Sequence, residues 1–227
     1  MIYGKDCWIS SACKKRDTCE HGESQYCPRL FRLTELYSHS MLTEKQWQPT
    51  VLYPDNIEQE IAAFETLNKI KNDIEAFVIS GSSLYLYSSF AGNGKTSWAV
   101  KLMQAYFGAI WHKTIECSAI FINVPRFMME LKSSISSPSK YIEDIKSKIY
   151  DVPLVVWDDI GSKVGSEYEI ETLLSYINAR IDLGRANIYT SNITPEELTD
   201  VLGGRLSSRI VSMSTCVKLV GRDKRGL

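Results

Sequence analysis

The sequence predicts an α/β protein built on a mostly parallel sheet with helices on both faces. Three observations carry that expectation. From Ser83 onward, short apolar runs alternate with helical patterns, an order that implies right-handed crossovers and a sheet covered on both sides. One junction between a run and a helix holds a glycine-rich turn ending in Lys95-Thr96. A fully apolar run, Leu154-Val155-Val156-Trp157, ends in two adjacent aspartates.

The elements follow in chain order. Residues 1–50 read as a cysteine-rich, irregular module. Residues 51–80 read as a helical linker: Pro54 and Asp55 supply a start, and Ile57, Ile61, Phe64, Leu67, Ile70, Ile74 and Phe77 form one apolar stripe. Residues 81–227 form the α/β core, with strands predicted at 84–87, 119–124, 154–157, 187–190 and 211–219. Helices are predicted at 95–107, 125–132, 140–149, 167–183 and 195–202. The serine-rich stretch 133–139 is a loop candidate, and no internal repeat is present.

Composition narrows the class. The chain has 227 residues, 44% hydrophobic and 23% charged, as in ordinary globular proteins. No apolar run approaches the ~20 residues that cross a bilayer, and Asp6 interrupts any secretory signal. A cytoplasmic protein with no membrane partner is expected. The net charge of −1 excludes a global attraction to nucleic acid. Lys218, Arg222, Lys224 and Arg225 could form a local basic patch or a solvated tail.

Chemistry concentrates in two places. Ser89-Phe90-Ala91-Gly92-Asn93-Gly94-Lys95-Thr96 lies between a predicted strand and a predicted helix, the context that a phosphate-binding loop requires. Glycines let consecutive N–H groups turn toward phosphate oxygens, and the helix N-terminus adds positive potential. Lys95 suits the β- and γ-phosphates and Thr96 suits Mg²⁺. Candidate nucleotide contacts are Ser89, Ala91, Gly92, Asn93, Gly94, Lys95, Thr96 and Ser97, with Ser89 standing where the pattern has its first glycine. Asp158 and Asp159 end the apolar strand. A position next to the loop's strand would give Asp158 to the metal and leave Asp159 as the base facing the attacking water.

Two later segments extend the pattern. Asn192 follows the strand at 187–190, where it either positions water and γ-phosphate or caps the next helix. Arg205 and Arg209 stand four apart, on one face of a short helix, able to reach a neighbouring subunit's γ-phosphate or to form surface ion pairs.

Four thiols, Cys7, Cys13, Cys19 and Cys27, cluster with His21 near the N-terminus. They suit tetrahedral Zn²⁺, with a Cys₄ iron–sulfur cluster as competitor and buried unliganded cysteines as the plainer alternative. Cys117 and Cys216 are expected in the core; Leu30, Phe31, Leu33, Leu36 and Tyr37 form either a contact surface of the module or its core, the core being the favoured reading.

Residues 92–96, 155–161, 190–192 and 204–210, with Asn123-Val124-Pro125-Arg126-Phe127, resemble the AAA+ ATPases. More narrowly they resemble the DnaC/DnaI-type replicative helicase loaders and the related IstB-type transposition ATPases. The departure is Asp158-Asp159, where many AAA+ proteins have Asp-Glu. The resemblance implies a three-layer RecA-like P-loop core without a C-terminal lid domain, ATP and Mg²⁺ as ligands, and ATP hydrolysis. It implies Arg209 as an arginine finger supported by Arg205, and Arg222 or Arg225 as a nucleotide sensor. It implies an N-terminal zinc module that contacts a replicative helicase, single-stranded DNA as a second partner, and a homo-oligomer when assembled on either. The setting would be DNA replication initiation in a bacterial or phage-infected bacterial cytoplasm. The rival is an IstB-like remodelling ATPase on duplex DNA, for which a more basic chain is expected. A nucleotide-dependent scaffold with negligible turnover is the third reading.

Overall fold

A computed structural model describes residues 7–10, 13, 15–19, 27–134, 136–162 and 166–224. Its centre is a five-stranded parallel sheet in the order β2-β3-β4-β1-β5. The strands are β1 (Ser83–Tyr87), β2 (Ala119–Asn123), β3 (Leu154–Asp158), β4 (Ala186–Ser191) and β5 (Ser214–Lys218). The period-2 alternation divides their side chains between two helical layers. Leu84, Leu86, Val156 and Ile188 pack beneath α1 (Pro28–Ser38), α3 (Glu58–Asn72), α4 (Ile74–Ile79) and α5 (Lys95–Ile110). Tyr85, Val155, Trp157 and Tyr189 pack against α6 (Val124–Ser133), α7 (Lys140–Lys148), α8 (Glu167–Asp182) and α9 (Leu198–Ser212). The α/β expectation holds, with element ends moved by a few residues. The exception is the last helix, expected at 195–202: α9 runs on to Ser212, so the last strand begins only at Ser214.

Two expectations need correction. The segment before residue 50 is not irregular throughout: it contains α1 and the short α2 (Glu44–Trp47). Pro28 at the first helical turn and the stripe Leu30, Leu33, Leu36 and Tyr37 are ordinary helix signals that the cysteine clustering obscured. Those four residues are buried, whereas Phe31 is 50% exposed. The linker is two helices, because the backbone at Asp73 leaves the helical region (φ −118°, ψ 34°). Asn and Asp compete with the helix for backbone hydrogen bonds, so Asn72-Asp73 is a natural break.

The N-terminal segment packs onto the α/β core through aromatic rings. Tyr37 lies 4.9 Å from Phe107 of α5 and 5.0 Å from Trp8, with Trp47 closing the group at 5.7 Å from Tyr37. The same segment backs the sheet edge, where the Phe121 N–H donates to the Ser40 carbonyl at 2.8 Å. Among the described residues, no helix is long and apolar enough to cross a membrane.

Candidate nucleotide site

The turn after β1 is held open by its own polar groups. Gly92 and Gly94 have φ of +77° and +99°, conformations that L side chains rarely adopt. The Asn93 side chain, 1% exposed, donates to the Ser88 hydroxyl at 2.5 Å and to the Leu219 carbonyl at 3.2 Å. Asn93 therefore ties the loop to the end of β5. Ser88, which the motif did not single out, is the loop's buried anchor; the only hint was its place directly after the apolar run. Ser89 is exposed and is not among the cavity-lining residues. The Lys95 ammonium is folded onto the loop, donating to the Phe90 carbonyl at 2.8 Å and to Asn93 Oδ1 at 3.2 Å.

Asp158 reaches this loop across an intervening strand. The expectation that its strand adjoins that of the loop is corrected by the sheet order, which inserts β4 between β3 and β1. Thr190 of β4 bridges the gap. Its hydroxyl donates to Asp158 Oδ1 at 2.8 Å, and the Thr96 hydroxyl donates to the same oxygen at 2.8 Å. The Asn123 amide faces the other oxygen at 3.4 Å. A hydroxyl and a buried carboxylate side by side are the hard oxygen donors that suit Mg²⁺.

Asp159 turns out of the strand with φ +61°, which Asp tolerates better than most residues. Its N–H donates to Thr190 Oγ1 at 2.9 Å and its carboxylate accepts from Asn192 Nδ2 at 2.8 Å. Burial and the adjacent Asp158 charge push its pKa up, opposed by Lys95. Asn192 does not cap the following helix; Thr194 and Glu197 exchange that pair of bonds.

These groups line one cavity of about 800 Å³. Ala91, Gly92, Asn93, Gly94, Lys95, Thr96 and Ser97 form its floor with Asp158, Asp159, Thr190 and Asn192. Its other wall was not legible in the motifs: the extended segment Thr50, Val51, Leu52, Tyr53, Pro54 and Asp55, together with Arg222 and Lys224. Within the basic tail, Arg222 Nε lies 3.4 Å from Asp55 and Lys224 Nζ 3.2 Å from Glu60, so these two are paired, whereas Lys218 is exposed. Arg225 and His21 lie outside the described residues.

Arg205 and Arg209 are exposed on α9, away from this cavity. Arg205 is 3.9 Å from Glu171, and both arginines border a separate groove with Asn178 and Ser212. Gly203 (φ 75°, ψ 157°) breaks α9 just before them. Among the described residues no three His, Cys, Asp or Glu side chains converge as a metal set. Cys7 is buried in the core beside α1, and Cys27 is the residue at the α1 N-cap. Cys117 is half-buried, whereas Cys216 is exposed on β5, because the outer strand leaves that face uncovered.

The comparisons agree on this architecture. The family model of the bacterial DnaA ATPase domain matches residues 58–216. The chromosomal replication initiator protein DnaA of Acinetobacter baylyi is 28% identical over 158 residues, covering 70% of this chain and 32% of the relative. The chain therefore spans about a third of the length of the curated relatives it matches. Among solved structures, the DnaC helicase loader superposes with a TM-score of 0.64 at 20% identity over 78% of this chain and 100% of that one. DnaI gives 0.59 at 20% identity over 82% and 95%. The replication initiator DnaA bound to AMPPCP and single-stranded DNA gives 0.56 at 20% identity over 74% and 49%. The loaders share the fold, and the stretch from α3 to β5 that carries most of the cavity matches as sequence: the chain belongs to the bacterial DnaA ATPase domain family.

Proposed function

We propose that the chain is an ATP-hydrolysing switch of DNA replication initiation that loads a ring helicase onto single-stranded DNA. The observation that carries the chemistry is the convergence of Lys95, Thr96, Asp158 and Asp159 on one cavity. The backbone amides of the glycine turn bind phosphate oxygens, and Lys95 exchanges the loop carbonyls for the β- and γ-phosphates. Mg²⁺, held by Thr96 and Asp158, supplies charge neutralisation when bound. Asp159, kept at hydrogen-bond distance by Asn192, takes the proton of the attacking water. The segment 50–55 faces the nucleoside end. Arg209, with Arg205 beside it, acts on a neighbouring subunit's site, which requires a homo-oligomer.

The fold shared with DnaC and DnaI supports the loader reading. The DnaA match favours a second one, an initiator-type ATPase that assembles on DNA without a helicase. Calorimetric titration with Mg-ATP tests the common core: uptake by the native chain and none by Lys95→Ala is expected, and a native chain that takes up no nucleotide removes the proposal. Co-purification with the cognate replicative helicase supports the loader. Its absence, with turnover stimulated by DNA alone, supports the initiator. Zinc in residues 1–50 is a separate proposal carried by the cysteine spacing alone; stoichiometric zinc in the purified protein supports it, and metal-free folded protein removes it.

A further inference from the structure

Glu60 sits in the first turn of α3 with no exposed surface and is not among the cavity-lining residues. Its carboxylate is nevertheless fully engaged by the tail after β5. One oxygen accepts the N–H groups of Val220 at 2.8 Å and Gly221 at 2.9 Å; the other faces the Lys224 ammonium at 3.2 Å. That ammonium also donates to the Tyr53 carbonyl at 2.7 Å and lies 4.9 Å from the Phe64 ring centroid. The Lys224 N–H donates to the Gly92 carbonyl at 2.9 Å, and the Arg222 N–H donates to Asp55 at 2.7 Å. One buried carboxylate thereby joins α3, the tail, the 53–55 wall and the phosphate loop.

A buried ion pair is a poor way to gain stability, since well-packed apolar replacements are often neutral or better. What such a group supplies is placement. An ionised carboxylate out of water needs its donors, and two consecutive amides plus one ammonium are satisfied in a single register of the tail. That register sets Arg222 and Lys224 in the cavity wall. We propose that Glu60 is a positioning residue for nucleotide binding: by fixing the tail at 220–224, it holds the wall of the cavity against the phosphate loop. The inference rests on the nucleotide-site reading above.

The test measures the dissociation constant of Mg-ATP and urea unfolding in parallel on the full chain. Glu60→Gln replaces an acceptor with a donor beside the ammonium. Gly221→Ala presses on the same contact from the tail and leaves α3 intact: an added Cβ would sit 2.6 Å from Glu60 Oε1, and also 2.8 Å from Asp55 Oδ2, so it is read beside the Glu60 variant and not in place of it. Both variants are expected to weaken nucleotide binding about tenfold, the scale of one charge-assisted hydrogen bond. Amide exchange at Val220 and Gly221 should rise in both. Lower stability with unchanged affinity in the folded fraction makes Glu60 merely structural and overturns the proposal. A native chain that binds no nucleotide overturns the site reading itself, whereas native binding with unaffected variants overturns only the Glu60 role. Should Glu60→Gln fail to fold, Glu60→Asp decides, since it keeps the charge and withdraws it from the Val220 and Gly221 amides.

Discussion

Thr190 and Asp158 face each other across adjacent strands, the hydroxyl donating to Oδ1 at 2.8 Å while accepting the Asp159 N–H at 2.9 Å. One β4 side chain thus sets the direction of both acids at the end of β3. Thr190→Val keeps the shape and removes the hydroxyl, leaving the Asp159 amide and one Asp158 lone pair unsatisfied. Stability should fall by about 1–3 kcal/mol. Hydrolysis should slow by at least about tenfold while ATP affinity changes little, because the loop is untouched. Thr190→Ser should restore most of the rate. Single-turnover hydrolysis beside equilibrium binding separates these effects.

The pH profile of hydrolysis should carry the mark of Asp159. Its pKa is raised first by burial and then by the Asp158 charge; Mg²⁺ on Asp158 would offset the second cause, so it is burial that should hold the acid limb above the ordinary Asp value of about 3.9. The Asn192 amide donates to its carboxylate and favours the ionised form. Asn192→Ala should therefore move the acid limb to higher pH and lower the plateau rate. An unmoved limb would assign the base elsewhere.

Arg209 is exposed and lies outside the cavity of its own chain. Arg209→Ala should leave ATP affinity of the isolated chain unchanged and slow turnover of the assembled form by roughly 10³-fold, as for removal of an arginine finger. Arg205→Ala should cost less, since Arg205 already faces Glu171 at 3.9 Å. Equal turnover by Arg209→Ala and native assemblies would remove the finger.

Acid should weaken the start of α8 in a defined window. Burial alone would raise the Glu169 pKa, but the Ser166 N–H and hydroxyl and the Lys132 ammonium together bring it down to about 2 from 4.5. A folded value below the unfolded one contributes stability above pH 4.5 that is lost as the pH falls toward 2. Glu169→Gln should thus be less stable than the native chain at neutral pH, by on the order of 2 kcal/mol. The gap should close across that acid window, as read by urea unfolding at each pH.

The fold was legible because its signals are local. The apolar run 154–157 and the glycine turn at 92–94 each declare an element without tertiary knowledge. Half of the site was legible for the same reason, Lys95, Thr96 and Asp158 being motif residues. The other half is long-range. Asp55 meets Arg222 and Glu60 meets Lys224 only after the sheet has brought the tail beside α3. Thr190 could not be given its bridging role until β4 was known to lie between β3 and β1. Spacing along the chain carries no information on strand order of that kind.

Arg180 is the clearest such case, and it yields the largest expected stability effect. It is fully buried on α8 without a carboxylate partner among the described residues, and burial lowers its pKa to about 9. Its guanidinium donates to the carbonyls of Ile149 at 2.6 Å, Val152 at 2.9 Å and Ala186 at 2.6 Å, and to Asn187 Oδ1 at 2.8 Å. Those acceptors end α7, precede β3 and open β4, so one planar fork fastens three chain segments below the strand that bears the two aspartates. Arg180→Lys cannot reproduce the fork, since an ammonium has three donors and a different geometry. Arg180→Met should lose about 3–5 kcal/mol by stranding several buried carbonyls. Arg180→Lys should lose nearly as much, because its compact, strongly hydrated charge would be buried with fewer bonds. Urea unfolding of the two variants checks this: a lysine variant as stable as the native chain would mean that charge, and not the fork, holds these strands in place.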